Sequence, residues 1–328
     1  MAKEEDKRGE AVPHKHKHTV GQDPDKIEEI IARNRRVATP FVLNKCEANA
    51  AKHWNLFYKH HEDRFFKNKN WTEKEFEVLG GAQKRQDEIG KDGAEVKQSG
   101  DEEAIAGDAI VEEETAGRGS VLLEVGCGPG NMLYPIIKRN RDIKAHACDF
   151  SSRAVEILAS NPAFDPDRIN AFVHDLVSTP GKELRAQLSQ HPFGPPTVVS
   201  LIFVLSAIPP QHHRSVLQSL ADCLPDEGGA LCFRDFARGD LTQLRFHQKA
   251  SAAWAEPALL SEEQAFYRRG DNTFTYFFDV EELRQHAEVV GLEGEVSVRE
   301  SHRTNRKTGV HLHRRFVHAK WRKKRTTA

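Results

Sequence analysis

No stretch of this 328-residue chain approaches eighteen consecutive apolar residues, which excludes a membrane-crossing helix. The first ten residues, Met1 to Glu10, are charged and lack an apolar run, so a secretory leader is not expected there. Cysteines number only five (Cys46, Cys127, Cys148, Cys223 and Cys232), and no Cys-x-x-Cys pair occurs. That odd, scattered set disfavours a disulfide scaffold or a zinc ribbon. It fits a reducing compartment, the cytoplasm, with the nucleus as the alternative. Net charge is almost absent, since 48 Lys+Arg stand against 49 Asp+Glu. Apolar residues supply 38% and charged residues 30%, and the mean hydropathy is −0.63. So polar a composition predicts a packed core of about 200 residues with solvated tails and inserts.

The near-zero total hides an asymmetry. Asp101 to Glu114 holds seven acids and no base, whereas Arg299 to Arg325 holds eleven Lys/Arg and one acid, Glu300. The basic end suits an anionic partner, or is simply a solvated surface. The tract from His14 to His18 alternates His and Lys in a polar tail without a second ligand cluster, so disorder is expected there and no metal. Residues 80–119 are rich in Gly, Gln, Lys and acids and lack apolar periodicity. The expected organisation is a disordered tail (1–22), a helical segment (23–79), an acidic flexible insert (80–119) and a main domain (120–325).

Within the main domain, apolar runs alternate with helical patterns. Strands are expected at 120–125, 143–148, 169–173, 197–205 and 230–233, and helices at 131–138, 152–160, 182–188, 212–224 and 279–290. The run 197–205 suits a central strand buried on both faces. Asp279 and Glu282 stand at capping-box spacing, and Gly291 stands where a C-cap belongs. Residues 295–300 and 310–321 alternate as a terminal antiparallel pair would. The pattern predicts a doubly wound α/β sheet, with ligands at the carboxyl ends of its central strands.

The first strand runs into Glu124-Val-Gly126-Cys-Gly128-Pro-Gly130-Asn131. The glycine spacing is GxGxG, one residue short of the dinucleotide fingerprint, and no Gly-Lys-Ser/Thr follows to make a P-loop. GxGxG after an acid resembles the loop of S-adenosylmethionine-dependent methyltransferases. That cofactor has no phosphate to cradle, and Glu124 suits its cationic amino-acid end. Asp149 ends the second strand 23 residues after Gly126, where a carboxylate accepts both ribose hydroxyls. Asp175 ends the third strand and suits the adenine amino group, with Leu176 on the ring. Either acid could instead only cap the following turn. Cys127 and Cys148 flank the loop as packing residues rather than nucleophiles.

Four further segments narrow the family: Trp54-Asn-Leu-Phe-Tyr58 with the aromatic and basic stretch from Asp63 to Trp71; Leu201 to Ile208; Phe233-Arg-Asp-Phe236 followed by Leu244-Arg-Phe246; and Phe266 to Phe278. From Cys46 to Trp321, outside the insert, the chain resembles the eukaryotic tRNA 3-methylcytidine methyltransferases, which act on cytidine 32 of serine and threonine tRNAs. The resemblance implies a class I, Rossmann-like, seven-stranded and mostly parallel sheet with an antiparallel terminal pair, preceded by an N-terminal helical extension. It implies that Trp54 and Tyr58 close over the cofactor, and that Gly126, Asp149, Asp175, Leu176 and Ile202 contact it, with Gly128 and Glu124 in the same loop. The chain departs from the family at Asn68-Lys69-Asn70, where Asp-Arg-His is usual. Residues 161–176 and 305–320 look partly serine-type and partly threonine-type.

Cytosine N3 carries an in-plane lone pair at neutral pH, so its methylation needs no general base. The cationic product calls for a carboxylate, and Asp235 is the catalytic candidate, unless it only pairs with Arg234 or Arg245. The base must leave its stack. Phe66, Tyr267 and Phe274 are candidate stacking residues, each equally suited to a core. Candidate substrate contacts are Lys67, Arg234, Arg238, Arg245, Arg268 and Arg269, extended by Arg306, Arg314 and Arg315. The partners expected are tRNA and an aminoacyl-tRNA synthetase, with no membrane and no metal. Two competing readings are a methyltransferase acting on a protein or small molecule, which would need no basic surface, and a non-catalytic RNA-binding partner, against which the intact loop and both acids argue.

Overall fold

Five parallel strands form the centre of the molecule: β1 (Val121–Val125), β2 (Lys144–Asp149), β3 (Ile169–Val173), β4 (Val198–Ile202) and β5 (Ala230–Phe236), in the order 3-2-1-4-5. The structure, a computed structural model, describes residues 24–33, 36–79, 120–178, 181–248, 256–263, 265–304 and 311–324. The expected tail (1–22), the acidic insert (80–119) and Arg306 lie outside the described residues. β1 and β4 are buried throughout, as parallel strands covered on both faces must be. Their apolar side chains split between two core layers, with Leu123 and Val125 on one side and Leu122 on the other.

The sheet ends in the expected antiparallel pair. β10 (His311–Lys323) runs antiparallel to β5, and β9 (Val296–Thr304) runs antiparallel to β10. A two-residue strand, β8 (Leu292–Glu293), also pairs with β10. Its register, Leu292 opposite Lys323, continues the one that sets Val296 opposite Ala319, so β8 and β9 are one strand interrupted at Gly294 and Glu295. The seven-stranded arrangement therefore holds.

Two expectations change. The apolar run 197–205 is not one strand: β4 stops at Ile202, Phe203 takes a φ of 61°, and Leu205–Ala207 forms a 3-10 turn. Apolar content alone does not distinguish a strand from the buried turn that ends it. The fifth strand is longer than expected and carries Arg234 and Asp235 on opposite faces inside the ladder. The pattern also concealed a small hairpin, β6 (Phe266–Arg268) and β7 (Phe274–Tyr276), whose strands are only three residues each.

Helices α5 (Leu133–Arg139), α6 (Ser152–Ala159), α7 (Gly181–Gln190), α8 (His213–Cys223), α9 (Leu241–Gln248) and α10 (Val280–Val289) cover the sheet; the N-terminal segment supplies α1 (Pro24–Ala32), α2 (Pro40–Ala48), α3 (Ala50–His61) and α4 (Thr72–Glu75). Asp279 caps α10 through the Glu281 and Glu282 amides, and Gly291 follows it at φ 71°. Glu282 does not complete the capping box; it accepts from the Tyr276 hydroxyl at 2.7 Å. The N-terminal helices dock at named points. Ile27, Ile30 and Ile31 of α1 pack on Leu244, and Glu28 holds Arg238 through two hydrogen bonds of 2.9 and 2.7 Å. Phe76, just past α4, is fully buried and stacks on His318 at 4.4 Å. Burial of such a side chain stabilises by about 2–3 kcal/mol. Among the described residues no helix is long and apolar enough to cross a membrane.

Candidate active site

A cavity of about 230 Å³ opens at the carboxyl ends of β1, β2 and β4. Parallel strands point their carbonyl ends there, and the chain must turn away, which leaves a crevice. The glycine loop after β1 forms one wall. Gly126 has φ 63°, and a β-carbon on it would sit 2.3 Å from Val204 Cγ2; Gly128 has φ 53°, and a β-carbon there would sit 2.9 Å from the Tyr58 hydroxyl. The backbone therefore passes close to both neighbours, which only glycine allows.

Asp149, at the end of β2, organises this loop. One carboxylate oxygen accepts from the Gly128 amide and the other from the Ser151 amide, each at 2.9 Å. Burial pushes its carboxyl up to about 6, against the pull of these hydrogen bonds. Each oxygen keeps a second lone pair for a ligand hydroxyl. After β3, Asp175 accepts from Val177 N at 2.9 Å and Ser178 Oγ at 2.7 Å. Both acids thus cap their turns and also line the cavity, as does Leu176.

The opposite wall comes from α3. Its Asn55 accepts from Ser151 Oγ at 2.6 Å and Arg153 N at 3.3 Å, at the N-terminus of α6, which Ser151 caps. This contact fixes α3 over the strand ends and presents Trp54 and Tyr58 to the cavity, with ring centroids 5.9 Å apart. Tyr58 is buried near Asp149, which keeps its phenol neutral. Phe274 of β7 also lines the cavity, although its ring is 1% exposed. Ile202, Gly128 and Glu124 lie behind the cavity surface rather than on it; Phe203 and Val204 occupy the wall after β4.

Sequence reasoning missed a buried charge group behind that wall. Lys69, itself half-buried, has its charged form favoured by the Glu124 and Asp235 carboxylates, and its Nζ lies 5.6 Å from the Phe203 ring. Burial pushes the Glu124 carboxyl up and the Lys69 amine down, and the attraction between them offsets part of both. Glu124 Oε2 is buried and accepts no hydrogen bond among the described residues. Phe203, with positive φ, is held by a hydrogen bond from its backbone N–H to Arg234 O at 2.8 Å and by ring contacts with Phe236 and Phe316. A bulky residue in this conformation marks a site where neighbours overrule local preference. Asn131, the residue after the glycine loop, accepts from Lys69 N at 2.9 Å and donates to Phe66 O at 3.1 Å. Asn68 and Asn70, where the resemblance expects Asp and His, accept from Asn131 and Arg139. His174 also lines the cavity, with its Nε2 buried and unpartnered among the described residues. Only the tertiary fold brings these residues together, so no local motif announced them.

Several expected substrate contacts are corrected. Tyr267 is 1% exposed, stacks on Phe246 at 4.7 Å, and contacts His247 Nε2 through its hydroxyl at 2.7 Å, so its ring is not open to a base. Arg234 is buried, paired with Glu75, and sandwiched between Trp71 and Phe316 at 4.5 Å each. It anchors the N-terminal segment instead of meeting phosphate. Asp235 is fully buried and pairs with neither Arg234 nor Arg245; it accepts from Ser206 N at 2.9 Å and so holds the turn after β4. Burial pushes it up to about 6, and nearby Arg269 pulls it down. Arg314 pairs with buried Asp240 at 2.8 Å and Arg315 with Glu300 at 3.1 Å, so both are held inside the protein's own network. Arg238 is likewise held by Glu28, and Arg268 donates to Asn272. Arg269 is half-buried with its guanidinium 5.7 Å from the Phe236 ring. Phe66, Lys67 and Arg245 remain exposed.

The residues present fit S-adenosylmethionine. Acceptors stand at two successive strand ends, aliphatic and aromatic side chains flank the cavity between them, and an unpartnered carboxylate lies behind the glycine loop. Comparison with known proteins agrees. Residues 102–295 match a family model described as a methyltransferase domain, whose cofactor is S-adenosylmethionine. The chain is 38% identical to tRNA N(3)-cytidine methyltransferase METTL2 of Danio rerio over 283 residues, covering 84% of this chain and 74% of that one. It is 33% identical to tRNA N(3)-cytidine methyltransferase METTL6 of Mus musculus, covering 90% and 89%, and 32% identical to the Drosophila melanogaster enzyme Mettl2, covering 84% and 72%. With relatives at this identity over most of both chains, the chain is a member of the tRNA N(3)-cytidine methyltransferase family.

Proposed function

We propose that the protein methylates N3 of cytidine in tRNA, at position 32 of the anticodon loop of serine tRNAs, threonine tRNAs or both. The observation that carries this reading is the cavity built jointly by the strand ends and α3, in a chain whose relatives are named for that reaction. Bound S-adenosylmethionine supplies an electrophilic methyl group. Asp149 would hold its ribose hydroxyls, Asp175 and Leu176 its adenine, and Trp54 and Tyr58 would cover it.

The remaining chemistry falls to this chain's own groups. N3 attacks with its own lone pair, so the protein positions rather than deprotonates. Phe66, 38% exposed beside Phe65 and Phe57, offers a ring for an unstacked base. The charge developing on the base is balanced through the field of the Asp235 carboxylate, which Lys69 and Arg269 approach. Lys67 and Arg245 supply exposed charge for the phosphates, and an aminoacyl-tRNA synthetase is the proposed partner in presenting the anticodon arm.

The test uses serine and threonine tRNAs carrying either C32 or U32, with and without the cognate synthetase. Methylation of the C32 forms and none of the U32 forms is expected. Equal labelling of the U32 forms would overturn the site assignment.

A further inference from the structure

We propose that Glu300, His302 and His313 form a binding site for a divalent transition-metal ion of the zinc type, which clips β9 to β10 where their ribbon runs past the main sheet. The site is separate from the cofactor cavity and plays no part in methyl transfer.

The placement follows from strand geometry. Glu300 and His302 are two residues apart on β9 and share a face, and the register sets His302 directly opposite His313 of β10. Their candidate ligand atoms all lie within 4.8 Å of one another. His313 Nε2 is 3.1 Å and His302 Nε2 is 3.8 Å from the same oxygen, Glu300 Oε2. Tetrahedral zinc with bonds of about 2.0–2.2 Å separates its ligand atoms by about 3.3–3.5 Å, so both spacings are within half an ångström of what the ion imposes.

The carboxylate is already oriented for this. The Arg315 guanidinium forms an ion pair with the other oxygen, Oε1, its Nε 3.1 Å away, while Oε2 lies nearest the two imidazoles. An outer partner that fixes a ligand carboxylate is a regular feature of metal sites. His313 is buried and fixed, whereas His302 is exposed. The two rings now stack at 4.3 Å and 10°, and the exposed ring turns about its side-chain torsions to bring both nitrogens to one ion. Two histidines and one carboxylate leave a fourth position for water.

The location gives the ion a task. β5 pairs with β10 from Phe316 to Arg322, and the Ala237 amide extends this by one hydrogen bond to Arg315 O at 3.1 Å, so from His311 to Arg314 the ladder partner of β10 is β9. A two-stranded ribbon is marginal by itself. One ion bonded to both strands would hold this end closed.

The test uses the full chain with His14, His16 and His18 changed to Gln, so that the tail does not compete for metal. Zn(II) is titrated against a chromophoric chelator, and Co(II) serves as a spectroscopic probe. One equivalent of Zn(II) per chain is expected, with a Co(II) visible band and a rise in the thermal midpoint on adding Zn(II). His302→Ala, at an exposed position, and Glu300→Gln should each weaken binding at least tenfold and abolish the midpoint shift. Absence of stoichiometric Zn(II) binding by the parent, or undiminished binding by a folded His302→Ala variant, would overturn the proposal.

Discussion

Asp149 does two things with one carboxylate. It holds the glycine loop through Gly128 and the start of α6 through Ser151, and it offers its remaining lone pairs to the cavity. Asp149→Ala removes both, so S-adenosylmethionine affinity measured by calorimetry should fall at least tenfold while the circular dichroism spectrum is kept; unchanged affinity would place the cofactor elsewhere. Its titration gives a second expectation. Burial raises the carboxyl to about 6, so protonation removes an acceptor as pH falls through that value. Cofactor affinity should drop below about pH 6, and Asp149→Asn should lack that step. For stability the sign is opposite. A raised carboxyl contributes in its neutral form, fully below its ordinary value of 3.8, and the contribution is lost as pH rises through about 6.

At the scale of elements, the N-terminal segment is held to the sheet by contacts between residues far apart in sequence. Arg234 and Glu75 are 159 positions apart, and Trp71 and Phe316 flank the guanidinium. Arg234→Ala should lower stability to denaturant by about 3 kcal/mol, because it leaves Glu75 and the aromatic slot without their partner. The salt dependence of tRNA binding should stay the same, and a flattened dependence would instead make Arg234 a phosphate contact. The same separation explains what was legible in the sequence. β1 and β3 announce themselves through their apolar runs, and GxGxG with Asp149 and Asp175 marks the crevice, because each signal is local. The Lys69 group was not legible: it joins α4's approach to β1 and β5, and nothing near Lys69 in sequence points to Glu124 or Asp235. Phe203 was misread for a related reason, since its positive φ is set by the packing of Phe236 and Phe316 rather than by its own preference.

Across the whole molecule, net charge says little about RNA binding, because many arginines are committed internally. Arg238, Arg314 and Arg315 all have carboxylate partners within the protein. The exposed cations Lys67 and Arg245 are better placed to meet phosphate. Replacing both with Ala should weaken tRNA binding and reduce the slope of log affinity against log salt by about one per residue, without changing cofactor affinity. An unchanged slope would show that the RNA lies on another face.

Whether this cavity delivers a methyl group to N3 of a tRNA cytidine is read from the product. The purified protein is incubated with labelled S-adenosylmethionine and total tRNA, and the RNA is digested to nucleosides and separated. Label is expected in 3-methylcytidine. Label in any other nucleoside, or none when cofactor binding is intact and the synthetase is supplied, would contradict that expectation.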